Sequence, residues 1–321
     1  MHVVTCVSNP HGWQSRIDLA SKAITSWVGH GAAVTLVECA HGDRAFELSG
    51  LPRIKHIGVR ATTTAWSKEN LLNIGIASLP HDISKIATID ADVTWRDDSW
   101  MDKTVKALDL WPVVQMWSDA LDLGPRDEIL QHHVSFGRQL VAGFPIVNTG
   151  KLWKFEGGPY DYPHPGYAWA WTRGFLDAVG GLIDFGGMGS GDYHMALAMV
   201  GYGQKSVDGR VGTQYMDAIL AWQARAQAVA RGKLGHIWST IEHPFHGTKA
   251  NRAYQGRWEM FVKHGFNPHT DLKRNSYGVI EFAGNKPQLE NDWNRYLLAR
   301  DEDSTAVASA PVSFMSMNTA S

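Results

Sequence analysis

Cysteine is scarce in this chain: its 321 residues include two, Cys6 and Cys39, both inside apolar, strand-like segments. Two such thiols build neither a disulfide framework nor a cysteine zinc site, and a reducing cytoplasm fits them best. Long apolar runs are missing as well. None approaches the ~20 residues of a membrane span, and the opening His2-Val3-Val4-Thr5-Cys6-Val7 reads as a strand with no room for a signal peptide. A soluble protein with no membrane partner is therefore expected. Net charge is only −2, which gives no global drive toward nucleic acid. Internal repeats are absent, and no Gly-Lys-Ser/Thr follows the glycines, so a P-loop is excluded.

What is present is a hydrophobic content of 44% with 14 Trp, enough for a large core. Strand and helix patterns alternate. After the strand 2–7, Ile17, Ala20, Ile24 and Trp27 fall at helical spacing, Gly29 and Gly31 stop that helix, and Ala33-Val34-Thr35-Leu36-Val37 makes a second strand. This βαβ opening predicts a Rossmann-like α/β fold. Ser67 starts a second helix that Pro80 ends, and the strand 85–89 follows. A helix over 99–109 and a strand over 113–117 come next. The pattern loosens from about 119 to 165, and a strand is expected again over 167–171. Helices are expected over 192–200, 214–231, 251–264 and 288–299, with a strand near 277–282. The expected organisation is one domain over 1–270, a strand and helix over 271–300 packed on it, and a disordered tail over 301–321, rich in Ser, Ala and Thr.

Four segments carry candidate chemistry. The apolar run Ile86-Ala87-Thr88-Ile89 ends in Asp90-Ala91-Asp92, which puts two carboxylates where a buried strand meets solvent. A hard divalent cation prefers such oxygens and leaves positions open for phosphates. Upstream, Trp66-Ser67-Lys68 opens a helix, and a helix N-terminus with a lysine favours phosphate. Downstream, Gly186-Gly187-Met188-Gly189-Ser190-Gly191-Asp192 is a flexible turn that holds a carboxylate at a helix start. Last, His243-Pro244-Phe245-His246 offers imidazole ligands. Around these, Ser8, Asn9 and Arg16 follow the first strand, at the sheet edge where α/β folds bind nucleotides. Tyr167, Trp169 and Trp171 alternate along one strand, as a stacking platform for an acceptor would, with His164-Pro165-Gly166 shaping its entrance. Residues 225–274 carry nine Lys/Arg against three Asp/Glu, a local excess of about +6 that suits a polyanion, a diphosphate or solubility alone.

In this chain order the four segments resemble GT-A nucleotide-sugar glycosyltransferases, notably the galactosyltransferase type, over roughly residues 1–270. The run Trp66-Ser67-Lys68-Glu69-Asn70-Leu71-Leu72-Asn73-Ile74-Gly75 looks like the helix before the Asp-x-Asp strand there. The resemblance implies a GT-A, Rossmann-like mixed sheet, mostly parallel and flanked by helices. It implies Trp66 and Lys68 as donor contacts with Ser8, Asn9 and Arg16, and Asp192 as the base of a single inverting displacement. It further implies a metal on Asp92 and His246, with His243 as second candidate, and Asp90 reaching the metal's water or the ribose. Imidazole favours Mn2+ over Mg2+. UDP is the donor nucleotide by analogy. Gly191 departs from the family's pattern, which has an acid before the catalytic Asp, and this puts acceptor binding at that position in doubt.

The start Val-x-x-Val-Ser-Asn-Pro and the segment Val-Glu-Cys-Ala-His-Gly-Asp look most like soluble bacteriophage-type GT-A enzymes, some of which are thought to glycosylate hydroxymethylated pyrimidines in DNA. That likeness implies a DNA acceptor and, for a phage protein, the host cytoplasm. A saccharide or protein acceptor, a metal-dependent hydrolase and a non-catalytic nucleotide-sugar binding module are the alternatives.

Overall fold

The strand His2–Ser8 (β1) is apolar on both sides, which suits the middle of a sheet covered on both faces. The computed structural model places it there and describes residues 1–148, 151–152, 163–248, 250–252 and 256–305. From β1 the chain runs through α1 (Gln14–Gly29), β2 (Ala33–His41), β3 (Ile54–Ala61), α2 (Lys68–Ala77) and β4 (Lys85–Ile89). Next come β5 (Thr94–Trp95), α3 (Trp100–Ala107), β6 (Val113–Gln115), β7 (Asp119–Leu123), β8 (Ile129–Val134), α4 (Phe136–Val141) and the small pair β9 (Val147–Asn148) and β10 (Lys151–Leu152). Then follow β11 (Ala168–Thr172), α5 (Arg173–Val179), α6 (Gly191–Met199), α7 (Thr213–Ala230), β12 (Leu234–His236) and β13 (Thr240–His243). The last described elements are α8 (Gly256–His264), α9 (Pro268–Asp271), β14 (Leu272–Arg274), β15 (Ile280–Phe282) and α10 (Pro287–Ala299).

Seven strands form the main sheet in the order β12-β6-β11-β4-β1-β2-β3. Only β11 runs antiparallel to its neighbours β4 and β6, so the sheet is mixed and mainly parallel, as the βαβ opening predicts. Successive residues feed opposite faces. Val3, Ala87 and Val114 join Trp27, Trp100 and Trp117 on one side, while Val4, Ile86 and Val113 join Trp171, Phe175 and Trp222 on the other. Helix α2 lies close on β1 because residue 75 is glycine: a Cβ there would stand 2.4 Å from Val4 Cγ1.

Two expectations need correction. The stretch from 119 to 165 is not simply a loose excursion, for its first part forms β7, β8 and α4. A second sheet, β5-β13-β7-β8, results, and its parallel β7–β13 pairing carries His243 to the level of Asp122. Residues 149–150 and 153–162 of that stretch lie outside the described ones. The tail expected from Asp301 begins instead as an anchored segment. Glu302 is 2% exposed and forms ion pairs with Arg16 and Arg300, and Asp303 accepts from the Gln14 and Ser15 amides at the start of α1. Residues 306–321 lie outside the described ones. Segment 271–300 packs on the preceding residues: Trp293 is buried and donates to Thr64 O, and Ile280 N donates to Asn70 Oδ1.

Candidate functional site

A cleft of about 490 Å³ opens where β1 and β4 end, and the N-terminal ends of α2 and α6 and the turn after β13 complete its walls. This is the sheet edge at which open α/β folds take ligands. Its floor is the strand end Asp90-Ala91-Asp92. β5 and β13 pair beside it, and the ring nitrogens of His243 and His246 reach the Asp92 carboxylate. Asp92 Oδ2 lies 3.2 Å from His246 Nε2 and 3.5 Å from His243 Nε2, and the two Nε2 atoms are 3.1 Å apart. One atom from each of the three residues falls within 4.8 Å of the others, a spacing a single cation can span.

The donor chemistry fits a metal. Asp92 Oδ1 is buried with no hydrogen-bond partner among the described residues. His243 Nδ1 donates to Asp122 Oδ1 at 2.9 Å, which leaves the Nε2 lone pair facing the cluster when the ring is neutral. Burial by itself would raise the Asp92 carboxyl, but His243 and His246 hold it well below the usual carboxylate range. Burial would likewise lower His243, yet Asp92 and Asp122 lift it to about 9. The cluster thus draws positive charge. The Arg252 guanidinium already stands at His246 Nε2, 2.8 Å away.

Asp90, expected to reach the metal's water or the ribose and counted with the metal residues on that ground, is not one of the three clustered residues: its Oδ1 pairs with Lys68 Nζ at 2.6 Å. The cause is local: β4 ends at Ile89 and the chain turns at once, Val93 N donating to Asp90 O, so the same-face relation that an extended strand would give residues 90 and 92 is lost, and Asp90 meets the α2 start while Asp92 meets the two histidines. Burial opposes the Lys68 charge, but Asp90, Asp192 and Glu69 raise its pKa above the ordinary lysine value. The Asp90 carboxyl is pushed up by burial to about 6 even with Lys68 beside it.

Asp192 lines the opposite wall in the first turn of α6, its Oδ1 accepting from Tyr193 N at 2.8 Å. Its Oδ2 rests against Gly166, where a Cβ would lie 2.8 Å away. Trp66 also lines the cleft, with the Arg300 guanidinium 5.8 Å from its ring centre. Ser8 and Arg16 line it too, but both are engaged. Ser8 Oγ meets His41 Nε2 at 2.9 Å, and Arg16 makes a forked pair with Glu302 while donating to Ser8 O. Asn9 does not line the cleft; it staples its own loop by exchanging bonds with the Trp13 backbone.

The aromatic platform is also corrected. Tyr167 lines the cleft, and its hydroxyl donates to Asp122 Oδ1 at 2.8 Å, but Trp169 and Trp171 are buried in the core beneath the sheet. Their indoles are spent on Pro165 O and Thr88 Oγ1. The backbone explains the divergence: Tyr167 has φ 77°, a left-handed turn that breaks the alternation and sends its ring to the other side of the sheet. His164 stacks on Tyr167 at 4.4 Å, and His164, Pro165 and Gly166 line the cleft as the expected entrance.

Sequence reasoning did not single out Glu69, Asp122, Arg300 or Glu302, all of which touch or support this site. Asp122 lies in the stretch whose pattern reads as loosened, and nothing in the sequence around it points to the partner it meets across β7 and β13.

No protein-family profile and no curated protein sequence matches the chain. Among solved structures it is similar to the catalytic domain of Drosophila beta1,4galactosyltransferase 7 in complex with xylobiose, at 10% identity, 91% coverage of this chain, 98% of that one, and a TM-score of 0.39. It is similar to S. aureus TarS in complex with UDP-GlcNAc at 6% identity, with 94% and 82% covered and a TM-score of 0.42. GalNAc-T7 with UDP, GalNAc and Mn2+ is a third, at 12% identity, 92% and 55% coverage and a TM-score of 0.42.

Proposed function

We propose that this chain is a metal-dependent glycosyltransferase that moves a sugar from a nucleotide diphosphate to an acceptor hydroxyl with inversion. The observation that carries the reading is one cleft that joins the Asp92–His243–His246 cluster to a carboxylate, Asp192, on the facing wall. Asp92, His243 and His246 would hold the cation. When bound, it neutralises the charge that develops on a departing diphosphate. Lys68 and Arg252 bring further positive charge to the same side, and Lys68 does so from the first turn of α2. Asp192 accepts the acceptor's proton as its oxygen attacks the anomeric carbon. Trp66 offers an apolar wall to the donor, and Tyr167 is the one aromatic of its strand that reaches the cleft. Mn2+ is preferred because two of three ligands are imidazoles.

The acceptor is the finer question. A hydroxymethylated pyrimidine in DNA suits the basic stretch 225–274, but five of its nine cations are already tied within the chain. Arg225 donates to Val179 O, Arg252 to His246, Arg257 to Met188 O, and Lys263 and Arg274 pair with Asp292 and Asp184. DNA, saccharide and peptide hydroxyls are therefore tested side by side. UDP-sugars are incubated with Mn2+ and hydroxymethylated DNA, unmodified DNA, xylobiose or a Ser/Thr peptide, and UDP release and labelled product are followed. Transfer to one acceptor class supports the reading, and proton NMR of the product gives the anomeric outcome. UDP binding without turnover favours a binding module; neither binding nor turnover overturns the reading.

A further inference from the structure

Glu69 is a carboxyl that the mechanism above leaves without a task. It sits in the first turn of α2, is 5% exposed, and lines the cleft beside Asp192. Among the described residues no side chain donates a hydrogen bond to it, and its own backbone N–H is the partner it has. Burying a carboxyl this way is costly unless a ligand or ion satisfies it. Its position is defined by Gly191: a Cβ at residue 191 would lie 2.5 Å from Glu69 Cδ and 2.6 Å from Glu69 Oε1. The Glu69 head group fills the space that a side chain at 191 would otherwise occupy, immediately before Asp192.

We propose that Glu69, reaching across from α2, is the acceptor-binding carboxyl of this cleft, accepting a hydrogen bond from the acceptor and steering its hydroxyl toward Asp192. The proposal rests on the transferase reading. Gly191 is what permits the arrangement, because the three atoms nearest its would-be Cβ all belong to the Glu69 side chain. A carboxyl brought from one element into the vacancy left by a glycine on another is a residue exchange in space rather than in sequence. The electrostatics agree: burial raises the Glu69 carboxyl to about 7 although Lys68 opposes it, with Asp192 and Asp90 adding negative charge nearby. Such a group gains from a hydroxyl donor that adds to the single backbone N–H it already accepts from.

The test uses the full chain with UDP-Gal, UDP-Glc and UDP-GlcNAc and Mn2+, with xylobiose and hydroxymethylated DNA as acceptor probes and water as the default acceptor. Glu69→Gln should lower kcat/KM for the acceptor, or turnover to water, by about ten- to a hundredfold, the loss expected for one hydrogen bond to a charged group. Binding of UDP with Mn2+ should stay within about twofold of wild type by calorimetry, which a general loss of structure would not allow. Glu69→Ala with Gly191→Glu should regain at least about tenfold over Glu69→Ala alone, since the carboxyl returns to the same space from the other side. Unchanged turnover in Glu69→Gln overturns the proposal, as does an equal loss of UDP binding or a failed rescue. A wild type that binds UDP with Mn2+ yet turns over no donor overturns it as well. If the wild type does not bind UDP at all, the transferase reading falls first and takes this proposal with it.

Discussion

Replacing Asp122 examines the support behind the proposed metal ligands. Its carboxylate is 3% exposed and accepts from Tyr167 OH and His243 Nδ1 on one oxygen, at 2.8 and 2.9 Å, and from His133 Nε2 on the other, at 2.6 Å. In Asp122→Asn, an amide oxygen kept toward Tyr167 and His243 preserves both of those bonds. Neutral His133 then accepts from the new NH2 by changing tautomer. Geometry survives, and the main loss is one negative charge behind His243. Removing such a partner typically costs a metal site ten- to a hundredfold in affinity, and retained geometry puts Asn near the lower end, about tenfold or about 1.4 kcal/mol. Asp122→Ala deprives His243 Nδ1 and Tyr167 OH of their acceptor, frees the imidazole to rotate, and belongs near a hundredfold. Titration of Mn2+ followed by the electron paramagnetic resonance signal of the free ion measures both, with circular dichroism to confirm folding. Folded variants that both bind Mn2+ within about twofold of wild type would refute the reasoning.

Asp192→Asn should abolish transfer, by at least about a thousandfold, while Mn2+–UDP affinity stays within about twofold; equal loss of both would make Asp192 a structural residue. His194 is fully buried between Ser206 Oγ at 2.7 Å and Tyr215 OH at 2.8 Å, and burial, aided by Arg257, lowers its pKa to about 3. The unfolded histidine takes its proton first as pH falls, so this contribution is full above pH ~6.5 and declines by about 1.4 kcal/mol per pH unit from there toward 3. Urea unfolding of wild type and His194→Gln at pH 7.5 and 5.0 should show a steeper acid loss in the wild type, and parallel losses would contradict the assignment. Trp171→Ala, at a side chain 1% exposed, should cost about 3–5 kcal/mol, whereas Trp238→Ala, at 64% exposure, should stay within about 0.5 kcal/mol. Thermal melts distinguish the two, and similar melting temperatures would place Trp171 outside the core.

What the sequence made legible is what short spacings encode. β4 falls on 85–89 as its apolar run predicts, and Asp92 and His246 were singled out from motifs a few residues long. His243 is the second candidate by motif, and its three-residue separation from His246 brings both rings to Asp92. The remainder depends on pairings between distant segments. Asp122 meets His243 only because β7 lies parallel to β13, 121 residues away. Glu302 sits in a stretch whose composition reads as a tail, and Arg16, Arg300 and His246, held in place by the fold, give it a reason to be buried. Trp169 and Trp171 share a perfect alternation with Tyr167, and one left-handed residue at the strand's start undoes it. Strand β3 escaped because Lys55, His56 and Arg60 interrupt its apolar pattern, as an edge strand permits.

The central claim, that Asp92, His243 and His246 present a metal-held nucleotide diphosphate in this cleft, is tested most directly by calorimetric titration of UDP with and without Mn2+. In the wild type, UDP affinity should rise at least about tenfold when Mn2+ is present, and Asp92→Asn should lose that gain while remaining folded. Equal UDP affinity with and without the metal, or an Asp92→Asn protein that keeps the full gain, would contradict the account.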